Sequence, residues 1–278
     1  MRWSVQLEEK IAKVCFWVVA VITLLVLLNI ILHIVINGFS GLSWEFFTKE
    51  PRRMGKEGGI FSIIIGTLYM ALAAIIVAMP IGIGSAIYLT EYVKRGRLVQ
   101  VIRFGTEALA AIPSIIFGLF GFVLFVITLG LGWSILSGAL TIAFMILPTI
   151  IRSSEEAIKT VPDSYREGSL ALGASKWYTI RKVVLPSALP GIATGVILGI
   201  GRAIGETAAV ILTAGSSLGL PGSIMDPTRT LAVHLYILAS EGISMEKAYA
   251  SATVLIVLVL LINFLAHKLM ARLVGRVS

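Results

Sequence analysis

The sequence holds a single cysteine, Cys15, so it closes no disulfide within itself and builds no cysteine cage for a metal. Histidine is nearly as scarce. His33, His234 and His267 stand far apart, with none of the short paired spacings that metal sites use. Charged residues make up only 14% of the chain, against roughly 25% in soluble domains, while hydrophobic residues reach 57%. Together these values exclude an ordinary soluble fold and place the chain in lipid. Also missing is any GxxxxGK followed by Ser or Thr, so the chain has no phosphate-cradling loop for a nucleotide of its own. No internal repeat or low-complexity tract is evident.

What the sequence does have is a series of long uncharged runs. A helix needs roughly 20 apolar residues to cross the hydrocarbon, and six windows qualify: 14–36, 60–89, 108–131, 133–151, 188–214 and 248–267. The first is longer than a signal-peptide core of roughly 7–15 residues and lacks a small-x-small cleavage site, so it reads as an anchor helix. Only a glycine-rich turn near Gly130 and Gly132 separates the third and fourth windows, which predicts a tight antiparallel hairpin. The expected fold is all-α and polytopic, with about six transmembrane helices. Residues 1–59 supply the anchor helix and an external loop, and residues 60–278 a transmembrane domain with a cytoplasmic loop at 152–187.

The net charge of +8 could point to nucleic acid, so the placement of the basic residues decides. They sort by loop. The N-terminus (Arg2, Lys10, Lys13), the second loop (Lys94, Arg95, Arg97, Arg103), the fourth loop (Arg152, Lys159, Arg166, Lys176, Arg181, Lys182) and the tail (Lys268, Arg272, Arg276) hold most of the 23. The opposite side holds Lys49, Arg52, Arg53, Lys56, Arg229 and Lys247, the first four partly offset by Glu45, Glu50 and Glu57. By the positive-inside rule both termini are cytoplasmic, in a multi-pass cell-membrane protein, and the charge needs no nucleic-acid partner. The fourth and fifth loops are too long to be mere turns and are where a soluble partner has room to dock. Within the fifth, residues 231–239 form an apolar stretch too short to span, read as an interfacial or re-entrant helix.

The fourth loop reads as two short helices. Ser164 and Glu167 have capping-box spacing, which predicts a helix start, and Gly173 suits the left-handed residue that ends it. Ser175 caps the next helix, where Trp177, Ile180 and Val184 share a face. Pro186 is expected to mark the turn into the fifth membrane helix. Periodicity alone also fits a connector resting on lipid headgroups.

Inside the fifth span lie two charges, Arg202 and Glu206. A charge near the bilayer centre costs about 2.5–3.5 kcal/mol on insertion scales, so such groups face a partner or a water-filled path. A spacing of four puts both on one helix face, where they can pair with each other and fix packing. Alternatively they line the path, Arg202 offering a forked donor to an anionic oxygen and Glu206 tuning it, with Thr207 beside them. Gly195, Gly199, Gly201 and Gly205 give small-xxx-small spacing for a close helix neighbour. Pro113, in the step Ile112-Pro113-Ser114 after Glu107, either kinks the third helix or frees carbonyls toward a pore.

The fourth loop resembles that of the ABC importer permeases, whose EAA motif is a Glu, two small residues, three variable residues, Gly, nine variable residues, an aliphatic residue, one variable residue, Leu and Pro. Glu167, Gly168 and Ser169, then Gly173, then Val183, Leu185 and Pro186 keep every spacing, with Gly and Ser replacing the two alanines. This resemblance implies a MetI-like, type I permease fold and a loop that couples to a separate ATPase, with Arg166 and Ala174 flanking the motif residues. The stretch GRAIGETA, with Ala208 and residues 212–215 after it, is similar to the PstA-type permease subunits of phosphate importers. That likeness implies inorganic phosphate as substrate and Arg202, Glu206 and Thr207 as pathway residues. It also implies a PstC-like permease partner, a PstB-like ATPase dimer that uses ATP and magnesium, and a PstS-like external binding protein. The chain itself would bind no cofactor and carry no catalytic residue.

Three rival readings stand beside it. A permease for sulfate, molybdate or phosphonate would have the same architecture. A stand-alone secondary transporter would leave the fourth loop without a partner. An intramembrane serine protease is the third, since Gly215, Ser217 and Gly219 satisfy a GxSxG pattern, but that serine follows a membrane helix into a loop rather than a strand-to-helix turn, and His234 lies in another segment.

Overall fold

The computed structural model describes residues 2–93 and 96–274 of the chain. In chain order, α1 (Arg2–Phe39) leads to α2 (Trp44–Thr48) and a small hairpin of β1 (Pro51–Arg52) and β2 (Glu57–Gly58). Next come α3 (Phe61–Ile87) with a π-helical extension Tyr88–Tyr92, α4 (Arg97–Ala111), and α5 (Ser114–Gly121) with a π-helical extension Phe122–Thr128. After α6 (Ile135–Lys159) and α7 (Asp163–Ala171), α8 (Lys176–Thr179) runs through a third π segment, Ile180–Val184, into α9 (Leu185–Gly205). The chain continues with α10 (Ala208–Thr213), α11 (Leu231–Ser240) and α12 (Met245–Val274).

Five of these runs are long and apolar enough to cross a bilayer, and the bent pair α4–α5 makes a sixth if counted as one span. The core sits around α6, the most enclosed of the five, which packs against α3 on one side and α9 on the other. Small residues allow this. A side chain at Gly82 of α3 would meet Ile150 at 2.7 Å, and one at Gly138 of α6 would meet Met70 at 2.8 Å. Ala74, Ala78, Ala139, Ala143, Ile142 and Ile146 fill the seam between them. Lipid offers no hydrophobic gradient to drive helices together inside the bilayer, so close backbone approach is what holds them. By contrast α1 packs chiefly on α12, antiparallel, where Gly38 lies against Tyr249 and Thr253.

Both the first residues of α1 and the last of α12 therefore lie on one side, here called the basic face, and the turns at the opposite ends form the far face. Of the basic residues assigned to the first of these, Lys94, Arg95 and Arg276 lie outside the described residues. The hairpin expected between the third and fourth spans is present, with Gly130 and Gly132 at φ 67° and 64°.

Three expectations need correction. The window 108–131 is not one helix: Ile112 is extended (φ −74°, ψ 131°), Pro113 starts the next helix, and α5 leaves α4 at 105°. A residue before proline avoids the helical region and proline brings no N–H, so the break falls there. Second, the window 188–214 is also interrupted, because Glu206 is extended (φ −73°, ψ 131°) between α9 and α10. Third, Pro186 marks no turn. It sits in the first turn of α9, and the i→i+5 bonding of Ile180–Val184 carries the helix past the missing donor, so Lys176–Gly205 is a single rod of 30 residues.

On the far face the fifth loop folds back over the bundle. The N-terminal donors of α6, which have no partner within the helix, reach Thr213, Asp226 and Ile224 carbonyls at 2.9–3.2 Å. The short helix expected at 231–239 is α11, and it is buried rather than interfacial: Leu231, Val233, His234 and Leu238 are all enclosed. Thr67 of α3 accepts the Leu231 N–H at 2.9 Å through its hydroxyl oxygen. Arg229, 4% exposed, donates to the Ser216 carbonyl at 3.0 Å and the Met54 carbonyl at 3.4 Å, so it ties the first loop to the fifth. Arg53 and Met54 hold left-handed backbone (φ 46° and 62°) at this tie.

Under that turn Gly55 faces His234, whose ring nitrogens have no hydrogen-bond partner among the described residues. Burial and then the Arg229 charge push His234 down to about 4. The unfolded chain takes up a proton near pH 6.5 and the folded imidazole does not until about 4, so acid favours unfolding in between by about 1.4 kcal/mol per pH unit. Stability is fully present above pH 6.5. We expect the thermal midpoint of the purified protein to fall between pH 6.5 and 5, and the fall to be shallower in His234→Gln. An identical pH profile in the variant would contradict this.

Candidate functional site

Two regions carry polar groups that the fold alone does not require. The first is the basic-face hairpin α7–α8. Pro162 precedes α7 with its fixed φ of −58°, and Asp163 lies in the first turn, where a negative charge complements the helix dipole. The helix thus begins one residue before Ser164, and the expected capping box of Ser164 with Glu167 is not formed among the described residues. At its other end Gly173 (φ 82°) donates to Leu170 and Ala174 donates to Ser169 at 3.0 and 3.2 Å, a left-handed glycine stop. Ser175 then caps α8 by accepting the Tyr178 N–H at 3.2 Å.

The sequence-derived coupling residues divide between two environments. Glu167, Gly168 and Gly173 are exposed, while Ser169 and Ala174 are half-buried. The Ser169 and Thr179 hydroxyls are 2.9 Å apart and hold the two helices together. Val183, Leu185 and Pro186 are half-buried along the rod into α9, next to the enclosed Ile180 and Val184. Arg166 turns inward, 14% exposed, onto Glu91 at the end of α3. Sequence reasoning missed Glu91, and it missed Leu172, 90% exposed at the hairpin tip. Tyr165, Leu170, Trp177 and Tyr178 are exposed around it. The available signal was an apolar residue directly before the glycine stop of a polar loop.

The second region is the interruption between α9 and α10. Arg202 is exposed near the end of α9, about 25 Å along the helix from Leu185 at 1.5 Å per residue. It joins no ion pair and no hydrogen bond among the described residues. The pairing of Arg202 with Glu206, one of the two readings their spacing allows, is therefore not formed among the described residues, because the helix ends at Gly205 and takes Glu206 off that face. Glu206 instead accepts the Ala209 N–H at 3.2 Å and caps α10. Thr207, half-buried, completes the break.

The glycine spacing in α9 is used in part. Side chains at Gly195 and Gly199 would meet Ser153 and Ile150 of α6, Gly201 approaches Asn263 of α12 at 3.9 Å, and Gly205 has open space. The two broken spans also meet. Gly118 of α5 lies against the Ala209 backbone, where an added Cβ would be 2.8 Å from Ala209 Cα. The breaks at Pro113 and Glu206 come five and three residues before that contact in their own segments. Arg202 stands one turn before the second of them. Pro113 marks more than a kink.

Removing the Glu206 cap should loosen α10. We expect Glu206→Ala to cost about 1 kcal/mol in a thermal melt in detergent, and Glu206→Gln, which keeps an acceptor oxygen, clearly less. Equal losses would contradict the capping role.

Comparison with known proteins agrees with this architecture. Residues 78–278 match the family described as binding-protein-dependent transport system inner membrane component. A probable ABC transporter permease protein of Bacillus subtilis, YqgI, is 34% identical over 280 residues, covering 95% of both chains. The phosphate transport system permease protein PstA of Mycobacterium leprae is 35% identical, covering 93% of this chain and 87% of its own. That of Xylella fastidiosa is 34% identical and covers 85% and 83%. Among solved structures, the inward-facing MetNI methionine ABC transporter superposes with a TM-score of 0.60 at 20% identity, over 77% of this chain and 94% of that one. A bacterial alginate ABC transporter in complex with a pentasaccharide-bound periplasmic protein gives 0.69 at 14% identity, over 93% and 95%. Its helices, its broken spans and the extent of these matches make the chain a member of the binding-protein-dependent transport system inner membrane components, the membrane permease subunit of an ABC importer.

Proposed function

We propose that the chain forms half of the translocation path for inorganic phosphate in an ATP-driven importer. The observation that carries this reading is Arg202, a permanently charged guanidinium one turn before the break in its own span, with no carboxylate paired to it among the described residues. An unpaired cation at that depth needs water or an anion, and a guanidinium matches the oxygens of a phosphate two at a time. Occupation of Glu206 by the α10 cap leaves this charge free. Relatives named as phosphate transport permeases, at 34–35% identity over most of the chain, support the same substrate.

The remaining parts are those that the likeness to phosphate permeases implies. A second, PstC-like permease completes the path around the Arg202 level, and a PstS-like protein delivers phosphate at the far face. The basic face is cytoplasmic. There a PstB-like ATPase dimer, using ATP and magnesium, grips α7–α8. A Cβ added at Gly168 would meet nothing within 4 Å among the described residues, which leaves that position open to a partner. Leu172 and the aromatic side chains near it supply the apolar part of such a contact.

In proteoliposomes containing the assembled importer, Arg202→Ala should lower phosphate uptake roughly 10- to 100-fold, the value of a lost charge-assisted hydrogen bond, without loss of the ATPase subunit. Arg202→Lys should retain part of the activity, since it keeps the charge but not the fork. Labelled phosphate uptake should resist competition by excess sulfate. Normal uptake by Arg202→Ala, or sulfate competing as well as phosphate itself, would overturn the reading.

A further inference from the structure

The hairpin α7–α8 is joined to the membrane helices at both ends, and only one of the two connections is a continuous helix. Through α8 it continues directly into α9. On the other side α7 connects to α6 by a few residues after Lys159, and it buries none of its own residues. Within the hairpin α7 rests on α8 and the π segment and is bonded through Ser169 and Thr179. Toward α3 and α6 its polar bonds converge on one side chain.

Arg166 spends its fork on three elements at once. Its Nε and Nη2 donate to Glu91 Oε1 at 3.0 and 2.9 Å, at the end of α3. The same Nη2 donates to the Ile158 carbonyl at 2.9 Å, and Nη1 donates to the Val161 carbonyl at 2.6 Å, closing off the end of α6. Nη1 also reaches Asp163 at 3.2 Å, on α7 itself. Glu91 is 7% exposed, so its charge has little water to fall back on. One turn earlier on α6, Glu155 is bonded by Arg103 of α4 and by Lys159 at 3.0 Å, a separate cluster that ties α4 to the same end of α6.

We propose that the Arg166–Glu91 pair is the joint through which displacement of α7 is carried to α3 and α6, so that the helices on both sides of the core move with the rod α8–α9 rather than being left behind by it. Both are positioning residues, acting through the helices they connect. Their geometry is fit for this role, because a nearly dry pair with two donors on one carboxylate, set between different helices, resists shear in a way that a single exposed contact does not. The pair is also the place where α7, which buries no residue of its own, meets α3. This inference rests on the reading of α7–α8 as the surface that the ATPase grips.

The test uses the assembled importer in proteoliposomes and reads ATP hydrolysis with and without the external binding protein. Glu91→Gln is the informative change, because Glu91 lies at the end of α3 and leaves the surface of α7 untouched. We expect it to assemble normally and to lose most of the dependence of hydrolysis on the binding protein, by roughly tenfold, a typical magnitude for coupling between sites. Arg166→Ala should behave alike, and Arg166→Lys should recover part of the dependence. Undiminished dependence in Glu91→Gln would overturn the proposal, and so would a Glu91→Gln complex that fails to assemble, since the pair would then serve folding alone. In an importer that keeps both members of the pair, Leu172→Cys should cross-link to the ATPase; absence of that cross-link would sink the docking reading instead. A complex that moves no phosphate would sink the substrate reading and leave the hydrolysis readout intact.

Discussion

Hydrocarbon supplies no hydrogen bonds, so a spanning helix can be opened only where protein or water stands in for lipid. Most features of this chain follow from where it accepts that restriction and where it escapes it. The runs facing lipid, above all α1, are unbroken and apolar. Two spans are opened, at Ile112–Pro113 and at Glu206–Thr207, and both openings lie beside protein, α5 and α10 packing on each other through Gly118 and Ala209. Arg202, the charge that lipid would reject most strongly, stands directly before one of them. Glu206, the neighbouring carboxylate, is used to close the exposed backbone rather than to neutralise the arginine.

The rod Lys176–Gly205 connects this level to the basic face. At 1.5 Å per residue it is about 45 Å long, and Arg202 lies near its far end. A rigid helix of that length converts a small tilt at its base into several ångströms of displacement at its tip. The π segment Ile180–Val184 keeps it continuous where Pro186 would otherwise break it, so the same proline that looks like a boundary in the sequence is compatible with an unbroken lever. Under the proposed function, movement of such a lever needs the core to follow, and the core around α6 is packed through alanine and glycine, where small residues permit close contacts of backbone against backbone.

The windows of apolar residues were legible because crossing a bilayer imposes length and composition on a helix and nothing else. The presence of the short helix α11, though not its burial, the glycine stop at Gly173 and the Ser175 cap were legible for a related reason, each being a local signal read within a few residues. Hydropathy is blind to the backbone, however, and a window such as 108–131 looks the same whether Pro113 kinks a helix or ends one. Of the two readings of Arg202 and Glu206, mutual pairing fell for that reason: spacing of four implies neighbours only while the helix continues. Partners remote in sequence left no signal at all. Nothing in the residues around Arg166 points to Glu91, which lies 75 positions earlier, and only folding shows that the arginine faces inward.

The most direct measurement of a water-filled break at the Arg202 level uses the scarcity of cysteine. With Cys15 replaced by serine, Thr207→Cys places a single thiol in the opened segment. In the assembled importer a small, membrane-impermeant thiol reagent should reach it, and its rate of reaction should change when the ATPase is locked with ATP and vanadate. A thiol that stays unreactive to such a reagent in every state, on both sides of the membrane, would show that lipid or packed protein fills the break and would contradict a path there.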